Sequence, residues 1–166
     1  YVVPRNFGVE EREGTLYLLF HGALTGTKYD RMEQDPRATF EMDCGHMLCT
    51  DEAKGMCTMA YESVIGRGRL ETVPEAEREA ALQCLMAHYG RPDFAFDRAS
   101  VAHTRVFRLA VESMTGKRRK IKYSRTARRK AGCPPDCRKT CSAEGCRGKE
   151  SLAEFALASA KKIGII

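Results

Sequence analysis

Lys28 is the residue of this sequence best placed for chemistry, because it lies in the first turn of a predicted helix. A helix N-terminus offers unpaired backbone N–H groups and the positive end of a dipole, and a lysine there adds a full charge. This pattern predicts a phosphate site, and the alternative is a solvated lysine. His21 is a second candidate, since imidazole titrates near neutral pH. Its alternative role is a strand-end side chain bonded to a backbone carbonyl.

A predicted strand and a predicted helix position these two side chains. The aromatic and aliphatic run Thr15 to Phe20 predicts a buried strand that leaves the sheet at Gly22. Thr27 occupies the N-cap position of a short helix, Tyr29 to Asp35, which Pro36 ends. The sequence therefore predicts a strand, a glycine turn and a helix around Lys28.

The remaining apolar patterns predict further strands and one longer helix. Val2 to Phe7 and Thr15 to Phe20 are expected to form a β-hairpin across Gly8 to Gly14. Gly66 and Gly68 lie inside a long predicted strand, where glycines permit a bulge, a bend or a close approach of backbone or ligand. The other predicted elements are strands at Arg37 to Asp43, Ala60 to Val73 and His103 to Ser113, and a helix at Glu75 to Tyr89.

Five stretches in a fixed order carry a family resemblance: Tyr1 to Gly8, Phe20 to Ala23 with Lys28, Asp35 to Arg37, Tyr61 to Gly68, and Val106 to Leu109 leading to Thr115, Gly116 and Lys117. Together they resemble the FMN-binding split β-barrel superfamily. The nearest likeness is to the nitroimidazole-reductase-like branch of pyridoxamine 5′-phosphate oxidase-related flavoproteins. This resemblance implies a mainly β (α+β) fold, an antiparallel split barrel with peripheral helices. It also implies a helix and a first barrel strand ahead of Tyr1, so we expect the sequence to begin inside the family's pattern.

The same resemblance implies an FMN-dependent oxidoreductase that forms a homodimer with FMN in clefts between subunits. NAD(P)H would be the reductant, and a small electrophile such as a nitroaromatic would be the substrate. His21 would be the residue with a catalytic role, in contact with substrate or flavin. The cofactor-binding residues implied are Val3, Pro4, Asn6, Phe7, His21, Gly22, Ala23, Lys28, Tyr61, Ser63, Val64 and Ile65.

Composition changes abruptly at Lys117. Residues 1–116 hold 13 basic and 18 acidic residues, whereas residues 117–166 hold 15 and 4. We therefore divide the chain into a barrel domain, 1–120, and a basic, cysteine-rich tail, 121–166, with a short terminal helix after the capping box Ser151 to Glu154.

The composition of the tail suits weak nucleic-acid contact through phosphates, or a solvated disordered segment. The alternative function is a non-catalytic flavin-binding, nucleic-acid-binding or metal-binding interaction protein acting through this tail. If the activity resides in the barrel alone, deletion of 117–166 should leave flavin binding and enzymatic activity intact.

Two groups of cysteines could hold a metal ion, because thiolates and imidazole are ligands of zinc and iron–sulfur clusters. The spacings match neither zinc ribbons nor ferredoxins, so we assign no metal site and interpret the first group as ordinary loop cysteines. No signal peptide and no apolar run of ~20 residues is visible, which favours a cytoplasmic protein without a membrane span. The two groups are Cys44, His46, Cys49 and Cys57, and Cys133, Cys137, Cys141 and Cys146.

Overall fold

The computed structural model describes residues 2–119 and 163–165. Seven strands and three α-helices make up this part of the chain, which confirms the predicted antiparallel split barrel with peripheral helices. The strands are β1 Val3–Arg5, β2 Gly8–Arg12, β3 Thr15–Gly22, β4 Arg37–Asp51, β5 Met56–Thr72, β6 Arg105–Arg119 and β7 Ile163–Ile165. The helices are α1 Thr27–Gln34, α2 Arg78–His88 and α3 Arg98–Ala102, with 3-10 turns at Glu52–Lys54 and Glu75–Glu77.

All strand pairings are antiparallel, and they form one sheet in the order β1-β7-β4-β5-β6-β3-β2. Only Asn6 and Phe7 connect β1, at one edge of this sheet, to β2 at the other edge. Three Cα–Cα steps separate Arg5 from Gly8 and span at most ~11 Å, so the sheet has to curl until its two edges approach each other. The residues that join the edges consequently lie at the seam of the half-barrel.

The barrel interior is apolar because alternate residues of each strand point inward. Phe20 and Phe107 face each other in the β3–β6 register, with ring centroids 5.3 Å apart. Phe40 of β4 and Leu109 of β6 are fully buried in the same cluster. A second buried cluster lies beneath helix α2 and consists of Leu19, Val73, Ala81, Leu82 and Val106.

Gly66 has no side chain because the ring of Phe40 occupies that space. A Cβ placed on Gly66 would lie 2.3 Å from Cζ of Phe40 and 2.8 Å from the carbonyl oxygen of Ser113. The register of β5 and β6 also shifts between Arg67 and Gly68, which is a β-bulge. The sequence allowed a bulge, a bend or a close approach at these glycines, and the structure shows a bulge and a close approach.

Three expectations about the elements need correction. Val2 to Phe7 does not pair with β3; the hairpin partner of β3 is β2, which lies in the stretch expected to be the connecting turn. The expected loop after Asp43 is instead a long hairpin of β4 and β5, in which Thr50 lies opposite Cys57. Helix α1 starts at Thr27 with Gly26 as its N-cap, so Thr27 is not the cap.

Strand β7 was not anticipated. It lies between β1 and β4, pairs Ile163 with Arg5 and Ile165 with both Val3 and Phe40, and buries both isoleucines. The part of the chain after residue 121 therefore contributes a strand to the sheet, and deletion of 117–166 removes it. That deletion cannot separate barrel from tail in the way the sequence suggested.

The basic run begins inside the sheet. Lys117 and Arg118 belong to β6, and Arg118 pairs with Glu62 at 2.5 Å. The second cysteine group, most of the basic run and the predicted terminal helix lie outside the described residues.

Within residues 2–119 and 163–165, no group of three metal-ligating side chains comes together. None of the helices in those ranges has the length and apolarity that crossing a bilayer would need.

Candidate functional site

The seam between β1 and β3 contains a cleft of about 350 Å³. Its lining comes from the end of β1 with the residue after it, and from the end of β3. This volume is near the lower end of the range for ligand sites, ~300–1,000 Å³. The lining residues are Pro4, Arg5, Asn6, His21 and Gly22.

Two polar groups of helix α1 lie beside Gly22, although neither Lys28 nor Tyr29 belongs to the lining of the cleft. A Cβ on Gly22 would lie 2.6 Å from Nζ of Lys28 and 3.0 Å from the hydroxyl of Tyr29. Both groups come from the first turn of α1, so the strand end and the helix start meet at a point where only glycine fits. The predicted combination of His21, Gly22 and Lys28 is thus assembled in the structure.

Arg105 brings a further positive charge to the same place. It pairs with Gly22 in the β3–β6 register, and its Cζ lies 4.2 Å from the ring centroid of Tyr29. Lys28 Nζ lies 4.6 Å from the same centroid. Glu33 lies 3.7 Å from Arg105, whereas no carboxylate among the described residues lies within 4.0 Å of Lys28. The cluster therefore carries an excess of positive charge.

The electrostatics of the cleft reflect this crowding of cations. Burial lowers the pKa of Lys28, and the nearby charge of Arg5 lowers it further. Burial, then Arg5 and Lys28, lower the pKa of His21, so its imidazole is neutral at pH 7. Arg5 donates a hydrogen bond to the carbonyl oxygen of His21 at 3.4 Å. Binding an anion here would relieve the mutual repulsion of these groups.

Two buried polar atoms in this region have no hydrogen-bond partner among the described residues: Nδ1 of His21 and the hydroxyl of Tyr29. Buried polar atoms are paired in the great majority of cases, and an unpaired one costs ~1–3 kcal/mol. A ligand that accepts from the hydroxyl would satisfy the Tyr29 atom, and a ligand group that contacts the imidazole would satisfy Nδ1 of His21. The site therefore has the charges and the open hydrogen-bonding positions that a phosphate-bearing ligand needs.

The other residues named from the sequence are distributed over a wider area. Pro4 and Asn6 line the cleft, Val3 lies half-buried on β1, and Ala23 is exposed just after β3. Phe7 is fully buried, with its ring 4.6 Å from that of His88, and is not part of the lining.

The candidates on β5 lie away from the cleft within one chain. Strands β7 and β4 separate β5 from β1, and β6 separates it from β3. Val64 is fully buried in the barrel core, whereas Ile65 is 54% exposed on the opposite face. Tyr61 is half-buried, with Nζ of Lys117 5.5 Å from its ring centroid, and Ser63 is also half-buried. One chain does not bring these four residues into the lining.

Three residues of the cluster were not singled out from the sequence. Arg5 stands between two residues that were, and Tyr29 directly follows Lys28, so both lay within recognisable stretches. Arg105 is 77 positions from Lys28. Only the strand register brings it beside Gly22, and no local pattern signals that pairing.

Comparison with known proteins agrees with this architecture. A family model described as pyridoxamine 5′-phosphate oxidase matches residues 1–118. A candidate 5-nitroimidazole antibiotic resistance protein from Bacteroides thetaiotaomicron is 32% identical in sequence, with a TM-score of 0.57. The match covers 70% of this chain and 67% of that one. None of the curated protein sequences gives a significant match.

Two more distant solved structures share the fold. The FAD and heme binding protein from Mycobacterium smegmatis is 15% identical, with a TM-score of 0.56 over 78% of this chain and 72% of that one. The flavocytochrome Anf3 from Azotobacter vinelandii is 16% identical, with a TM-score of 0.53 over 75% and 66%. At such identities the likeness concerns the barrel alone.

Proposed function

This chain belongs to the pyridoxamine 5′-phosphate oxidase family, and from that premise we propose that it is an FMN-dependent oxidoreductase whose cleft at the β1–β3 seam binds the phosphate of the flavin. The observation that carries the proposal is the convergence of Lys28, Arg5 and Arg105 on Gly22 beside two unpaired buried polar atoms. The match to a nitroimidazole resistance protein favours a nitroaromatic substrate. NAD(P)H is the reductant we propose.

The residues present fit a flavin phosphate. Lys28 would neutralise the phosphate, and Arg5 would hold it from the opposite side of the seam. The missing Cβ of Gly22 leaves the space that the Lys28 ammonium uses. A flavin, when bound, supplies the hydride and electron transfer. The protein's part is to bind and orient the ligand, and His21, neutral at pH 7, would contact flavin or substrate through Nδ1.

A homodimer is part of this proposal. The cleft has a lining of five residues, and a flavin ring is too large for so open a site to bury it from one chain. Tyr61, Ser63 and Ile65 lie on a strand remote from this cleft, so they could reach a flavin only in a second copy. We therefore propose that each cleft is completed by β5 of a second copy of the chain.

The visible absorption spectrum of the purified protein tests the cofactor. Flavin bands, with FMN released at about one per chain on denaturation, would support the proposal. Anaerobic bleaching of those bands by NADPH or NADH, and their return on addition of a nitroimidazole, would support the reaction. A colourless protein that also fails to take up added FMN would contradict it.

A further inference from the structure

The Tyr29 side chain is unusual because it is 2% exposed and its hydroxyl has no partner among the described residues. The hydroxyl lies 3.0 Å from the position that a Cβ of Gly22 would take, and Gly22 lines the cleft. Buried hydroxyls are normally paired with protein or water. A hydroxyl that is buried, unpaired and this close to a residue of the cleft lining indicates that its partner belongs to a ligand.

The ring of Tyr29 is held on several sides, which fixes the position of that hydroxyl. Phe107 packs edge-on at 5.8 Å between centroids with an interplanar angle of 90°. The guanidinium of Arg105 and the ammonium of Lys28 lie 4.2 and 4.6 Å from the ring centroid. Both cations therefore lie against the Tyr29 ring, which is held in one position.

Lys28 and the Tyr29 hydroxyl approach the same side of Gly22, at 2.6 and 3.0 Å from one point. An oxyanion that pairs with the ammonium there is within reach of the hydroxyl as well. Burial raises the pKa of Tyr29, although Arg105 and Arg5 oppose that rise, so the phenol stays protonated at neutral pH and can only donate to an anion. A phosphate has enough acceptor oxygens for both groups.

We infer that Tyr29 is a ligand-binding residue whose hydroxyl donates a hydrogen bond to the phosphate of the bound flavin, beside the charge supplied by Lys28. This inference rests on the proposed function and adds a neutral donor to the site. The hydroxyl then contributes to binding only when the ligand carries a phosphate.

The test compares Tyr29→Phe with the wild-type protein in its affinity for FMN and for riboflavin, which lacks the phosphate. Tyr17→Phe, on β3, is the matched control. We expect Tyr29→Phe to weaken FMN binding about tenfold or more, because a hydrogen bond to a charged group is lost. Riboflavin affinity and the melting temperature of the ligand-free protein should not fall, since an unpaired hydroxyl has been removed. Unchanged FMN affinity, or equal losses for both ligands with a lower melting temperature, would overturn the inference.

A second measurement separates this inference from the proposed function. Inorganic phosphate, added at constant ionic strength, should raise the melting temperature of the wild-type protein and raise that of Tyr29→Phe much less. If the wild-type protein binds no flavin yet shows this difference, the oxidoreductase proposal fails and the anion-binding role of Tyr29 stands. If phosphate stabilises both proteins equally, or neither, the inference about Tyr29 is overturned whatever the flavin result.

Discussion

Gly22→Ala should separate ligand binding from folding. The added methyl carbon would lie 2.6 Å from Nζ of Lys28, 3.1 Å from its Cε and 3.0 Å from the Tyr29 hydroxyl. The ammonium would have to retreat by ~0.8 Å to restore ordinary 3.4 Å contact. Lysine is long and flexible, so it can move at little cost to the fold, but its ammonium then leaves its present position beside Gly22, which lines the cleft.

The expected loss follows from the strength of the contact. A hydrogen bond between an ammonium and a phosphate contributes about 1.5–3 kcal/mol, so FMN affinity should fall about 10- to 150-fold. Alanine is favoured over glycine in a strand by ~0.5–1 kcal/mol, which offsets the displacement of Lys28. The packed Tyr29 hydroxyl also has to shift by a few tenths of an ångström, so the free energy of unfolding of the ligand-free protein should fall by no more than about 1–2 kcal/mol.

The assay is a fluorescence titration of FMN and riboflavin, with urea denaturation of the ligand-free protein alongside. Gly164→Ala is the matched control, because it is also a strand glycine and a Cβ there would meet nothing closer than 3.8 Å. We expect that control to bind FMN as the wild-type protein does. Unchanged FMN affinity in Gly22→Ala, or a loss shared equally by FMN and riboflavin, would refute the reasoning.

Three other perturbations test the barrel and the cleft. Ile163→Ala should lower the free energy of unfolding in urea by about 2–5 kcal/mol, because a buried β7 side chain is lost. Val2→Ala, at an exposed position, should have little effect. Equal effects of the two substitutions would contradict the placement of β7 in the barrel core. Gly66→Ala should lower the free energy of unfolding by more than ~1 kcal/mol. Adding Phe40→Leu should recover part of that loss but not all of it, because the Ser113 carbonyl oxygen remains 2.8 Å from the added Cβ. Simple additivity of the two free-energy changes would contradict this packing. Because the pKa of His21 is lowered in the folded state, the unfolded chain binds its proton first, and the stability of the ligand-free protein should fall as pH drops below about 6.5. His21→Gln should flatten that part of the melting-temperature profile relative to an exposed His103→Gln control, and parallel profiles would contradict it.

Local sequence patterns predicted the elements whose own residues carry a clear strand, turn or helix signal. The apolar run of β3 and the glycine and helix start after it were sufficient to locate His21, Gly22 and Lys28. Only the outer part of the β4–β5 hairpin was missed, because it exposes both apolar and polar groups, among them Leu48 at 64% and Met56 at 62%, and so lacks the alternation of a half-buried strand.

What the sequence could not supply was the pairing of distant segments. Strand β7 has three residues, too few for a pattern, and is stabilised by its position between β1 and β4. Arg105 reaches the cleft because Phe107 lies opposite Phe20, a register that depends on core packing across the sheet. Sequence reasoning therefore singled out His21, Gly22 and Lys28 of the candidate site, and it missed Arg105, which only the strand register brings beside Gly22.

The most direct test of the account compares how wild-type protein and Lys28→Met discriminate FMN from riboflavin. Lys54→Met is the control, since Lys54 is exposed and pairs with Asp51 at 3.1 Å in the 3-10 turn after β4. We predict that the wild-type protein and the control bind FMN much more tightly than riboflavin, and that Lys28→Met loses about tenfold or more of that preference while its riboflavin affinity is unchanged. Equal binding of FMN and riboflavin by the wild-type protein, or a preference for FMN that survives in Lys28→Met, would show that the phosphate is not bound at this cleft.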